Sequence, residues 1–252
     1  MIVKTLQLEL RRWFRSGKFQ ILFIAFMFVA VLSPIFAYNA NHILKTLMAG
    51  ENVKLILASK VSPEILMQSY FKNSSQIVLF IVAYVVSMMV GLPKNKSARL
   101  FFISRTHKGY KLYLIKIIVA LLLLIMISLI AGLICLYING SYFSNIHFKN
   151  YFISILVQII GISTITMLAI LMSIVFKSSF VSAVIIEIVI VISSTLREFN
   201  WFKNWSITEL LMPIDVLTKG WNQTVNQLSI IALCVLVSSM FLVCVIPAYR
   251  RL

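Results

Sequence analysis

The chain has 252 residues, of which 61% are hydrophobic and 12% charged, and its mean hydropathy is +0.99. Soluble domains are about 45–50% apolar, so an ordinary soluble enzyme, a disordered chain and a disulfide-rich secreted domain are excluded, which leaves an all-α integral membrane protein of several helices. The net charge of +16, from 23 basic and 7 acidic residues, reads as the mark of cytoplasmic loops and not of a nucleic-acid surface, because most aromatic residues sit inside apolar runs.

The predicted elements begin with an amphipathic elbow over residues 1–18. On a helix of about 100° per residue, Ile2, Val3, Leu6, Leu10, Trp13 and Phe14 share one arc, and Lys4, Arg11, Arg12 and Arg15 share the opposite one. Leu8 is the exception. This pattern predicts an interfacial helix along the inner leaflet, anchored by Trp13 and Phe14 and by anionic headgroups, or an elbow that meets a cytoplasmic partner.

The first span follows over about 19–38. Its apolar run is longer than a signal-peptide core and precedes no small-x-small cleavage site, so an uncleaved span is expected, kinked near its outer end by Pro34. A weak helical pattern covers Ile43 to Leu57. The second span is predicted over about 76–92, although Ser62-Pro63-Glu64 is a helix-start signal that allows an earlier beginning. Pro93 to Lys116 then holds seven basic residues and no acidic ones, around the apolar run Leu100-Phe101-Phe102-Ile103. A purely solvated loop has no use for that run, whereas a short helix docked in a partner's groove does; a membrane-surface anchor is the other reading.

Further spans are predicted over about 113–138, 151–176, 180–196 and 228–247. Only Lys177, Ser178 and Ser179 separate the fourth from the fifth, so those two form an antiparallel hairpin. Between the fifth and sixth, Arg197 to Gln227 carries Trp201, Trp205 and Trp221 and the short apolar stretch Ile207 to Leu217, interrupted by Pro213. One or two short re-entrant or surface helices at the outer mouth of a pathway are expected there, simple interfacial anchoring being the alternative.

Six spans put both termini on one side. Fifteen of the 23 basic residues fall on that side, which the positive-inside rule assigns to the cytoplasm. No further folded unit remains, so residues 1–252 read as a single transmembrane domain.

Catalytic chemistry has little to work with. His42, His107 and His147 lie in three different loops, and Cys135, Cys234 and Cys244 lie in apolar runs without metal-ligand spacing. No hydrolase nucleophile motif, HExxH or P-loop occurs, so neither an enzyme nor a resident cofactor or metal is expected. One ionisable residue, Glu187, falls in the middle of a span. Charge at that depth is costly, so it should face the bundle interior as a structural or pathway residue, with Gln158, Ser163, Thr164 and Thr166 of the fourth span as partners.

This layout resembles the membrane subunit of ABC-2-type ATP-driven exporters. Leu8-Glu9-Leu10-Arg11-Arg12, then Arg15-Ser16 and Phe19, is similar to that family's acidic-then-basic elbow. Ile103-Ser104-Arg105, with Tyr110 and Lys116, resembles its loop entering the third span, and Leu211-Met212-Pro213 its outer hairpin. The acidic residue and glycine usual in that loop are absent from Asn95 to Leu100. Among such permeases the chain is similar to bacterial peptide-exporter subunits, such as those exporting the staphylococcal phenol-soluble modulins. The Lys-, Ile- and Asn-rich composition suits a Gram-positive bacterium. The resemblance implies a plasma-membrane protein, a second permease copy (identical or a sister chain), and a separate ATPase subunit holding ATP and magnesium. It also implies an amphipathic, cytolytic peptide as cargo. Glu9, Arg11, Arg12, Arg99, Phe101, Phe102, Arg105 and Lys108 would couple to the ATPase. A lantibiotic self-immunity permease is the near alternative; an ATP-independent carrier or a membrane scaffold is the distant one.

Overall fold

A computed structural model describes residues 2–47, 61–91, 109–144, 146–197 and 199–249. These are helical throughout, with no strand among the described residues. Helix α1, Ile2–Arg15, ends at Gly17, whose φ of 71° turns the chain into α2, Lys18–Leu47. Glycine takes that left-handed conformation without a Cβ clash. The next span is composite: α3, Pro63–Asn73, a π-helical turn, Ser74–Val78, and α4, Leu79–Val90. Then come α5, Gly109–Tyr142, α6, Phe148–Phe176, and α7, Ser179–Leu196. The segment after α7 folds as α8, Asn200–Lys203, a 3-10 turn, Ile207–Leu211, and α9, Ile214–Lys219. Helix α10, Gln223–Tyr249, closes the chain.

Six of these units are long and apolar enough to cross a bilayer: Lys18–Ala40, Pro63–Val90, Tyr113–Tyr142, Phe148–Phe176, Ser179–Leu196 and Gln223–Val245. The chain is a multi-span membrane protein. Pro63 sits in the first turn of the second span, where its missing N–H has no helical partner to lose.

The helix of the second span starts at Pro63, as the Ser62-Pro63-Glu64 signal allows, and its polar residues ahead of residue 76 find partners in the fold. Ser69, Asn73 and Ser74 break the apolar run in sequence but are satisfied in the fold. The hydroxyl of Ser69 donates to the backbone carbonyl of Ser33, and the amide of Asn73 to the Ser33 hydroxyl. Ser74 receives the amide of Gln158. Polar groups that would be costly against lipid are cheap once another helix supplies the acceptor. Helix α2 runs continuously past Pro34, one residue beyond Ser33.

The second and fourth spans form the middle of the bundle, and the first, fifth and sixth are the most open to the surroundings. Helix α6 touches the second, third, fifth and sixth spans. The two ends of the bundle are defined by contacts between chain-distant residues. At one end, Ser16 lies beside Met89, and Lys116 lies within electrostatic range of Glu9 and Arg12. At the other, Tyr38 stacks on Tyr142 with ring centroids 4.1 Å apart, Asn139 donates to the carbonyl of Pro63, and Gly220 lies against Asn150. These are called below the elbow end and the far end.

Candidate functional site

The far end carries a cavity with a charged wall. This cavity, of about 330 Å³, opens between the outer turns of α6 and α10 and the segment that joins α7 to α10. Val157, Leu210, Val225 and Leu228 give it an apolar wall; Arg197, Lys203, Glu209 and Asp215 give it a charged one.

The joining segment is held down by three kinds of contact. Arg197, the residue after α7, places its guanidinium 2.9 Å from the Glu209 carboxylate and donates to the Met212 carbonyl at 2.7 Å and towards the Met212 sulfur. Lys203 pairs with Asp215 at 2.8 Å, in a more exposed position. The third contact is steric. The backbone of Leu210 approaches Gly161 of α6 so closely that a Cβ there would lie 3.0 Å from the Leu210 carbonyl carbon. A side chain there would make the backbone of the 3-10 turn give way by a few tenths of an ångström.

Glu209 is 8% exposed. Its burial pushes the carboxyl above the usual carboxylate range, against the opposing pull of Arg197 and Lys203 and with some reinforcement from Asp215. Desolvation outweighs the pull of the ion pair on this carboxyl. That is typical of a buried pair, whose solvation cost competes with its attraction.

Pro213 is buried, ending the 3-10 turn and opening α9. Trp201 and Trp205 do not line the cavity; they are 67% and 74% exposed and face outward from α8 and the turn after it. Three further polar contacts lie inside the bundle, the first level with this site and the other two towards the elbow end. Gln158 is bonded to Ser74, Thr164 reaches the carbonyls of Ile160 and Ala232, and the hydroxyl of Ser182 donates to the Ala169 carbonyl.

Among the described residues no hydrogen bond joins Glu187 to Gln158, Ser163, Thr164 or Thr166 of the fourth span. Gln158, Thr164 and Thr166 are committed elsewhere, Thr166 to the carbonyl of Ile162. Glu187 is half-buried on α7, and its buried Oε2 meets no hydrogen-bond partner among the described residues.

At the elbow end, Glu9 is buried and sits 3.4 Å from Arg12, one turn along α1. Trp13 is 2% exposed and joins the protein core together with Leu6 and Leu10. This corrects the expectation that Trp13 anchors to lipid: the apolar arc of α1 is used to dock on α2 and α5. Phe14 and Leu8 remain exposed, as do Arg11 and Arg15. Lys116, in the first turns of the third span, is 2% exposed and faces Glu9 and Arg12. Sequence reasoning placed Glu9 and Lys116 in separate pieces and gave no signal that they meet. Arg99, Phe101, Phe102, Arg105 and Lys108 lie outside the described residues, as does most of the weak helical pattern after Leu47.

Among the described residues, no group of three or more His, Cys, Asp or Glu side chains is arranged to hold a metal ion. Compared with known proteins, the chain matches no protein-family model, no curated sequence and no solved structure.

Proposed function

We propose that the chain is the membrane-spanning subunit of an ATP-driven exporter. In this reading a separate ABC ATPase drives it, a second permease copy completes it, and amphipathic peptides are its cargo. Both termini face the cytoplasm, and the segment between α7 and α10 is an outer re-entrant hairpin. The reading rests on the resemblance of the elbow, the basic loop and the proline-bearing segment, and on one observation above the others. Lys116, two turns inside α5, comes within electrostatic range of Glu9 and Arg12 of α1. In this reading α1 and the helix that follows the basic loop are thus tied together at the cytoplasmic end.

That convergence suits a transmitted motion. An ATPase that closes on nucleotide has to bias a two-state element in the membrane to do work there. A helix seated on the bundle through Trp13, with Glu9 between two cations, moves with α5 as one body. The loop around Phe101 and Phe102 would supply the docking surface. Re-entrant geometry is supported by helix arithmetic: Leu210 lies beside Gly161 and Gly220 beside Asn150, levels about 16 Å apart along α6 at 1.5 Å per residue.

The test is co-expression with an ABC ATPase encoded beside this chain, followed by purification in detergent and measurement of ATP hydrolysis. A stable complex whose hydrolysis responds to this subunit supports the reading. The doubly substituted Phe101→Asp, Phe102→Asp chain should stay in the membrane and lose that response. A folded, monodisperse chain that binds no ATPase would overturn the exporter reading. A carrier would then be favoured, with Glu187 and its unpartnered Oε2 as the residue to examine.

A further inference from the structure

We propose that Arg197 is a releasable clasp that holds the 3-10 turn Ile207–Leu211 shut over the far-end cavity, and that this turn is the outer gate of the pathway. The proposal rests on the outer-face assignment made above. Three observations independent of that assignment carry the clasp itself.

The first is where Arg197 sits. It follows α7 directly, and α7 is the least enclosed of the six spans. A helix covered on one side only can shift with little repacking, and its end is wired to the gate.

The second is the concentration of contacts. Among the described residues, the polar side-chain contacts from the end of α7 to the turn and its cap are those of Arg197, with the Glu209 carboxylate and the Met212 carbonyl. Lys203 and Asp215 pair with each other, joining α8 to α9, and act on Glu209 only through their charge. A single side chain that holds the buried carboxylate on one side and a backbone carbonyl on the other is a point where one small displacement breaks both.

The third is the seat. Leu210 and Leu211 are buried, and their backbone rests in the notch at Gly161. Behind the turn lies Val157, which lines the cavity yet is fully buried. Solvent reaches Val157 when the turn lifts. Closed, the turn seals the cavity floor; lifted, it joins the cavity to the medium.

The experiment measures that access. In a chain with Cys135, Cys234 and Cys244 replaced by Ala, Val157→Cys is introduced and whole cells are treated with a membrane-impermeant maleimide. Thr224→Cys, on the exposed cavity rim, is the reference. With the clasp intact, Val157→Cys reacts slowly and Thr224→Cys quickly. Arg197→Ala should accelerate Val157→Cys by about tenfold or more and leave Thr224→Cys within about twofold, as expected of a local opening equilibrium. Arg197→Lys keeps the charge but cannot reach both the Glu209 carboxylate and the Met212 carbonyl, and should give a smaller acceleration, which secures the test should Arg197→Ala fail to fold. Val157→Cys rates unchanged in a folded variant, with Thr224→Cys reacting, overturn the clasp and leave the exporter reading standing. A Thr224→Cys that reacts only in broken cells overturns the outer-face assignment and the gate with it. The assay needs no ATPase, so failure to bind one leaves this result unaffected.

Discussion

Gln158 of α6 donates its side-chain amide to the hydroxyl of Ser74, the first residue of the π-helical turn, and Ser74 in turn donates to the carbonyl of Phe71. Both side chains are essentially without solvent contact. The link joins the two central spans by a relay and not by a single bond. Interhelical hydrogen bonds in membranes average about 0.6 kcal/mol, but an amide left unpaired costs more, about 1–3 kcal/mol. Ser74→Ala is therefore expected to destabilise the protein by about 1–2 kcal/mol. Gln158→Leu should cost less, and the double variant should recover part of the Ser74→Ala loss. Thermal unfolding in detergent across this double-mutant cycle reads the coupling directly; strict additivity would show that the two residues do not act together.

Trp13 makes the elbow part of the fold. Removing a large buried aromatic typically costs about 3–5 kcal/mol in a packed core. Trp13→Ala should fall near the low end, since α1 can detach without unfolding the spans, and should expose Arg11, Arg12 and Arg15 to rapid tryptic cleavage. Phe14→Ala, at a half-exposed position one residue on, should leave both stability and cleavage rate nearly unchanged.

Much of this architecture was legible in the sequence, because apolar runs of spanning length are a strong signal. What the runs could not convey was polar satisfaction. Gln68 to Ser75 looks too polar for an apolar run until Ser33 and Gln158 arrive from chain-distant helices, so the helix-start signal at Ser62-Pro63-Glu64 and the apolar run from residue 76 could not be joined from sequence alone. The elbow's apolar arc was likewise visible, but periodicity cannot say whether Trp13 meets lipid or protein. The segment joining α7 to α10 stands out in the sequence by its tryptophans, which are exposed in the fold. Its working contacts are made by Arg197, Glu209 and Gly161, none of which stands out without the third dimension. Glu187 was the reverse case: conspicuous in sequence, and yet without the fourth-span partners assigned to it.

Glu209 makes the joining segment sensitive to pH, in a direction set by linkage. Its carboxyl, facing Arg197, Lys203 and Asp215, is raised above the usual value when buried and returns towards that value when the turn lifts into water. The closed state therefore binds protons more tightly than the open one. Acid favours closure, and the stabilisation of the closed form is lost as pH rises from about 4.5 through the raised value of the buried group. Three of the four tryptophans, Trp201, Trp205 and Trp221, lie in this segment, so intrinsic fluorescence should change over that window. Glu209→Gln should flatten the profile. A profile identical in the variant would assign the transition to another group.

Glu187 is expected to behave as a cost to stability. A carboxyl oxygen enclosed without a hydrogen-bond partner forfeits its solvation, and Leu at the same place forfeits nothing. Glu187→Leu should raise the unfolding midpoint in detergent, by an amount on the order of 1–2 kcal/mol. If the purified complex also exports more slowly, the residue is retained for the pathway at the expense of stability. A lower midpoint would mean that the carboxyl has a stabilising partner in the assembled protein.

The π-helical turn at Ser74–Val78 makes the second span unusually forgiving of one kind of lesion. An α-turn closes over four residues and a π-turn over five, so this span carries one residue more than its two halves need. Loss of a single residue within it can be absorbed by closing the wide turn to an ordinary one. The Leu66–Tyr70 face and the Val82–Val86 face then keep their neighbours. The same deletion in α4 or α6 has no such reserve, and rotates everything beyond it by about 100°, a full change of face.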